Sequence, residues 1–474
     1  MKTKAFLSIC LFLICSLVYG QSSNSNRLTG SWLGKIIVPN GPKITSLMHF
    51  KVKAQKINGT FDSPDQSIKG LSMDSVWIEK DSVYAEFSGQ LGPGSRYKGV
   101  FLPGDSVIDG NWIQGGGSFA LKLRPTTYKY FLKINSNPKF NGYRIIKLIA
   151  STPIKDQQNT GTCWSHATTS FIETEAIRLG KKPVILSPMF FVTPTYLEKA
   201  ERYIRVHGNQ SFNEGDLTFS ALKVYKEFGA IPEKVYSGRT DTDATHNHFG
   251  MDQEAIKKVK EFVEAGFGKM TVEEYRKAIA DIVYKTMPKA PESFNFEGKT
   301  YTTKSFADEK VGINPENYVE ITSYTHHPFY KKCVLELPAN WNNNAYLNVP
   351  LVDIVKIVDY ALLNNYSVAW DGDIKEGCHD GFCKLEKEQI ITQQIRQLAF
   401  DNYTTQDDHN MHIIGIAENK DGKRFYIVKN SAAQNNNGGY VYMSKEYLQL
   451  KTISVMTHKA GIPKEVLNKL KVKL

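Results

Sequence analysis

The stretch Gln157-Gln158-Asn159-Thr160-Gly161-Thr162-Cys163-Trp164 constrains this chain more than any other. From Trp164 onward the apolar residues Ala167, Phe171, Ile172, Ala176 and Leu179 recur at helical spacing, and Gly180 suits the left-handed position after a last turn. The spacing predicts an amphipathic helix that opens at Cys163. Unpaired backbone N–H groups and the positive end of the helix dipole favour a thiolate there, the form a nucleophilic cysteine needs. Gln157, six residues earlier, is returned towards the sulfur by the Thr160-Gly161-Thr162 bend, where its amide is placed to hold an oxyanion. A buried, inert cysteine at a helix start is the competing reading of the same residues.

A chain of 474 residues has room for two or three domains and a sizeable core. Its 59 Lys and Arg against 48 Asp and Glu give a net charge of +11. The lysines are scattered over helical faces, with no basic stripe interleaved with aromatics, so no nucleic-acid partner is expected. Lys2 and Lys4, an apolar run from Ala5 to Val18, and Tyr19-Gly20 read as a cleaved secretory leader, too short for a confident membrane span. Cys10 and Cys15 inside it lack the preceding small residue of a lipoprotein site. A secreted or periplasmic protein without stable membrane insertion is expected.

Four cysteines follow the leader: Cys163, Cys333, Cys378 and Cys383. Cys378 and Cys383 bracket a turn-like His379-Asp380-Gly381-Phe382, which predicts a local disulfide in an oxidising compartment. Zinc is the weaker reading, since no second ligand pair stands at structural-site spacing. Cys333 is expected as a buried free thiol. His326-His327 lack a nearby acidic partner in sequence and read as surface polar residues, so no metal is expected.

After a short linker, 21–27, residues 28–124 form an all-β module: short alternating runs such as Val83, Ala85 and Phe87 are separated by Gly, Pro, Asn and Asp turns. A small barrel or sandwich is expected. Trp32, Trp77 and Trp112 are read as core in preference to ligand contacts, and Gly115-Gly116-Gly117, with no helix after it, is not a phosphate loop. Residues 125–144 read as a linker, and 145–463 as the second domain, with two helices near 253–265 and 272–285. Residues 464–474 form a basic tail.

The Gln157-to-Trp164 segment resembles the active-site segment of papain-like cysteine peptidases, in which Gln, five residues and Cys-Trp open the central helix. It lacks the extra Cys before the nucleophile and so is more similar to the bleomycin hydrolase and aminopeptidase C branch. The resemblance covers about 145–463. It implies an α+β fold of two lobes, one helical and one β-barrel-like, carrying a helical insertion over about 241–348 relative to papain, and a peptidase that requires no cofactor.

In such enzymes the catalytic His is followed six residues later by Gly in the same strand; His409 and Gly415 fit and His412 does not. On a strand, positions three apart face opposite ways, which sends His412 to a packed face. His166, where the family has an aromatic residue, reads as a spacer. Asn430 is the implied third member, orienting the His409 ring. The family follows Asn-Ser with Trp-Gly, whereas this chain has Ala432-Ala433, so the usual cover of the Asn–His bond is missing. Asn213-Glu214-Gly215-Asp216 is, as bare sequence, a loop and helix cap; the resemblance implies that Glu214 and Gly215 border the cleft and bond the peptide backbone.

The expected activity is a secreted cysteine peptidase acting on peptides or proteins, either an aminopeptidase or an endopeptidase. The basic tail differs from the apolar ending that makes that branch aminopeptidases. Rival readings are a weakened or inactive binding protein on the same fold, and an amidase acting on cell-wall peptides or small conjugates. Oligomeric state is not legible.

Overall fold

The computed structural model describes residues 27–472 apart from 40–42, 54–55, 64–67, 88–90, 92–93, 105, 127–141, 241–244, 267–269, 433–434, 436 and 471. The leader, most of the 125–144 linker and Ala433 therefore lie outside the described residues. Two compact units emerge, residues 1–133 and 134–474.

The first unit is one antiparallel sheet of nine strands, in which all sequence neighbours but the fourth and fifth pair, and the first strand, Gly30–Ile37, also pairs with the last, Gly117–Thr126. The sheet is open only between its fourth strand, Ile68–Ser72, and fifth, Ser75–Glu79. The connection there reaches both ways: Met73 N–H donates to the Gly59 carbonyl at 3.0 Å and Asp74 N–H to the Glu86 carbonyl at 2.8 Å. One sheet around one core is the barrel arrangement, not the sandwich. Period-2 alternation drives it, with Tyr97 and Phe101 inside on the strand Arg96–Phe101 and their neighbours outside. Gly115 and Gly116, at φ 55° and 77°, make the tight turn between two strands, which explains the glycine run. Trp32 and Trp112 are core; Trp77 instead stacks on Tyr84 at 4.9 Å and is 39% exposed.

The second unit packs helices against an 11-stranded sheet. Its central helix, Cys163–Arg178, begins where the sequence predicts but is not amphipathic: every residue from Cys163 to Ala176 is buried. Most of the polar residues survive burial because they find a partner, Thr174 Oγ1 being buried without one. Ser165 Oγ donates to the Pro188 carbonyl at 2.7 Å, and Glu173 takes Lys155 Nζ and Leu186 N–H, both at 2.7 Å. The insertion helices run Phe249–Ala265 and Val272–Thr286, the latter opened by a Thr271/Glu274 capping box.

On the sheet side, the strand His409–Glu418 is paired antiparallel to Val368–Gly372 and to Arg424–Lys429. Its outer half also pairs with Arg144–Leu148, and a Cβ on Gly415 would collide with the Lys147 carbonyl, which accounts for glycine six residues after His409. The helix Leu351–Leu363 covers this sheet through Ile354, Ile357 and Val358. The described tail residues dock on the same core through Val466, and Lys469 Nζ lies 3.1 Å from the Asp353 carboxylate of that helix. No helix among the described residues is long and apolar enough to cross a membrane.

Candidate active site

Cys163 sits at the first turn of the central helix, next to the strand that begins at His409. Asn410 and His412, two residues apart, share the strand face that meets this helix. Asn410 Oδ1 accepts the Cys163 thiol at 3.9 Å and His412 Nδ1 meets Ser170 Oγ at 2.9 Å, seven residues or two turns further along. His412 is fully buried and packs edge-on to Phe171. His166 is likewise internal, its Nδ1 bonded to the Thr162 carbonyl at 3.0 Å.

His409 Nε2 lies 2.7 Å from Asn430 Oδ1. That oxygen also accepts the Ser431 N–H at 2.8 Å, so it is an acceptor and the ring proton belongs on Nε2. Nδ1 then carries the lone pair, the tautomer of a base. Burial lowers the His409 pKa, partly opposed by Asn430.

Burial also reverses the direction expected for the sulfur. The Cys163 thiol is pushed up to about 12, by desolvation first and then by the charges of Asp407 and Asp371, against hydrogen bonds that pull the other way. The predicted thiolate gives way to a neutral thiol, because the helix-terminus effect is smaller than the loss of water around a buried anion.

Gln157 is held from two sides. Its Nε2 donates to the Thr160 carbonyl at 2.6 Å, its Oε1 accepts the Ser431 hydroxyl, and its backbone N–H donates to the Ser431 carbonyl at 2.8 Å. One amide proton of Gln157 is thus spent within its own loop.

Glu214 and Gly215 part company. The Glu214 carboxylate is 8% exposed and committed to protein: it accepts the Gly161 N–H at 2.6 Å and faces His248 Nδ1. It pins the bend before Cys163, while its carbonyl accepts Trp164 Nε1 at 3.1 Å. Gly215 lines a cavity of about 460 Å³ that also contains Cys163 and Asn410.

Cys378 and Cys383 are joined as a disulfide, with Cα atoms 3.9 Å apart. Cys333 is free but only half-buried, not buried as expected. The reading of His326-His327 as lacking an acidic partner is corrected: Glu336 reaches both rings, at 3.1 and 3.0 Å, because the strand Lys331–Val334 brings it back. These three residues hold potential ligand atoms within 4.8 Å of one another. Gln397 Nε2, however, donates to His326 Nδ1 at 2.9 Å and its Oε1 is fixed by Thr325 N–H at 2.6 Å, so His326 presents a proton on Nε2, not a lone pair.

Sequence reasoning missed Asn410, Asp371, Asp407 and the buried Lys199–Asp216 pair at 2.9 Å. Only Asn410 had a signal, as a polar residue two before His412 on an inward face.

The pattern of the Peptidase C1-like family matches residues 132–474. Among solved structures, PepW from Lactobacillus rhamnosis HN001 aligns with a TM-score of 0.55 at 16% identity, covering 69% of this chain and 84% of that one. Digestive procathepsin L 3 of Tenebrio molitor larval midgut aligns at 14% identity over 69% of this chain and 73% of that one, with a TM-score of 0.33, too low to bear on the fold. No curated protein matches. At that identity the likeness to PepW is one of fold.

Proposed function

This chain belongs to the peptidase C1-like family and is a cysteine-type peptidase, and we propose that Cys163 is its nucleophile, His409 its base and Asn430 the residue that orients His409. The observation that carries the reading is the His409–Asn430 bond at 2.7 Å, which leaves Nδ1 bare on a strand packed against the Cys163 helix.

With both groups neutral at rest, the reaction begins as general-base catalysis. The thiol proton passes to His409 Nδ1 as the sulfur attacks the peptide carbonyl carbon, forming the C–S bond. The oxyanion is held by the Cys163 backbone N–H and the remaining Gln157 amide proton. The tetrahedral species collapses with cleavage of C–N, and the proton on His409 goes to the leaving amine. Water, deprotonated by the same ring, then hydrolyses the thioester.

Secretion is part of the proposal and rests on the Lys2-to-Gly20 leader. Internal cleavage is the mode proposed, and the described tail residues dock on the Leu351–Leu363 helix, through Lys469 and Asp353. A loss of Trp cover at Ala432 is the best argument for the binding-protein alternative. The Asn430 bond, intact at 2.7 Å beside half-buried Ala432, weighs against it.

Steady-state hydrolysis of a protein substrate by wild type, His409→Ala and Asn430→Ala tests the assignment. His409→Ala should abolish turnover, and Asn430→Ala should lower kcat by about tenfold or more with little change in KM. Full activity in His409→Ala would overturn it.

A further inference from the structure

The cavity beside Cys163 carries more acid than its own cations balance. Asp216, Glu336, Asp401, Asp407 and Asp408 line it with a single lysine, Lys199. Lys199 is already spent on Asp216 at 2.9 Å and on the carbonyls of Asn213 and Gly215. Glu336 is paired with the two histidines, and Asp401 accepts Gln397 Nε2 at 2.8 Å. Asp407 and Asp408 remain, with Asp371 among their charged neighbours.

Their compensation is partial: Asp407 and Asp371 are hydrogen-bonded to each other, carboxyl to carboxyl, and Asp408 Oδ1 accepts the Ile374 N–H at 3.0 Å. Asp371 is 2% exposed, and its carboxylate oxygens meet no donor other than the carboxyl of Asp407. Asp408 Oδ2 is buried and without a hydrogen-bond partner; Lys375 Nζ stands 3.7 Å off. Desolvation, then the neighbouring carboxylates, pushes Asp371 well above the usual range, and burial takes Asp407 to about 6 and raises Asp408. Buried carboxyls that oppose one another's ionisation are relieved by an incoming cation.

A second observation is independent of the acids. Asn410, 1% exposed and lining the same cavity, pairs across the sheet with Asp371, and its Nδ2 has no partner while its Oδ1 takes the Cys163 thiol. A buried amide donor with nothing to donate to is an unmet site for a carbonyl oxygen. A donor for a carbonyl and, next to it, carboxyls for a cation are the features of a charged peptide seen together.

We propose that this cavity binds a cationic group of the substrate, guanidinium or ammonium, through Asp407 with Asp371 and Asp408, while Asn410 Nδ2 donates to a substrate carbonyl. The inference rests on the peptidase reading and names the substrate class of that site. The cation has two possible sources, a basic side chain or a free peptide N-terminus.

The test is calorimetric titration of the full chain carrying Cys163→Ala at pH 7.5 with four short peptides. Three are N-acetylated and differ at one position, Arg, norleucine or Glu; the fourth has norleucine and a free N-terminus. The Arg peptide or the free-amine peptide, whichever supplies the source, should bind about tenfold tighter than the acetylated norleucine peptide, with the Glu peptide weakest. Adding Asp407→Asn should narrow that gap to about threefold or less.

If that variant does not fold, pH reads the same group. Asp407 faces Asp371, Asp408, Asp216 and Lys199, and its ionisation between pH 5 and 7.5 should tighten only the cationic peptide. Equal binding of all four peptides at pH 7.5 overturns the proposal. Hydrolysis of the same peptides by wild type keeps the two readings apart. Turnover without charge preference sinks the cation site alone, and preference in binding without any turnover sinks the peptidase assignment alone.

Discussion

Gln157 and Ser431 are bound to each other twice: the Gln157 N–H donates to the Ser431 carbonyl at 2.8 Å, and the Ser431 hydroxyl donates to the Gln157 side-chain oxygen. Since Asn430 holds His409, this links the loop before Cys163 to the turn that holds His409. Ser431→Ala removes the side-chain link only and leaves the Gln157 amide held by Thr160 alone. It should lower kcat/KM by about tenfold in a steady-state assay, mostly in kcat. An unchanged kcat would mean that Thr160 alone orients the amide.

Glu214 is a positioning residue whose loss is felt twice. Glu214→Ala leaves the Gly161 N–H and the buried His248 without their partner, at a cost of about 2 kcal/mol in urea unfolding. Glu214→Gln keeps an acceptor for Gly161 and should recover about half of that loss. Equal stability of Glu214→Ala and wild type would show that the clamp contributes nothing.

Glu320 is 2% exposed and its carboxyl is pushed up to about 8, by burial first and despite a hydrogen bond from Ser454. A carboxyl whose folded pKa lies above its unfolded value binds more protons when folded. It therefore contributes stability that is complete below about pH 4.5 and is lost as pH rises to about 8. Glu320→Gln removes that loss, so at pH 8.5 the variant should be the more stable protein by about 3 kcal/mol, with the difference shrinking towards pH 4.5. Parallel denaturation midpoints across this range would contradict the burial argument.

Much of this architecture is legible in the chain itself. The Cys163 helix is marked by its apolar spacing and by Gly180, and the His409 strand by Gly415. What the sequence hides is depth and assembly. Nothing local says that the central helix is buried on all sides, and that burial turns an expected thiolate into a thiol. The acid pocket draws on Lys199, Asp216, Glu336 and Asp407, residues spread over some two hundred positions, and Glu214 is claimed by His248, 34 residues later. Such juxtapositions arise from strand and helix packing and leave no periodic trace.

The thiol itself reports the consequence. With Cys163 held up to about 12, the rate of alkylation by iodoacetamide should climb steadily above pH 8 with no plateau at lower pH. Asp407→Asn, by removing a nearby negative charge, should move the curve to lower pH. A plateau below pH 7 would instead reveal a thiolate–imidazolium pair in the free enzyme.

The central claim is tested most directly by mass spectrometry of a defined peptide mixture after incubation with the reduced mature protein or with Cys163→Ala. Wild type should release internal fragments that are absent with Cys163→Ala, enriched in cuts near Arg or Lys. Identical product lists from the two proteins would contradict the assignment of Cys163 as the nucleophile of a working peptidase.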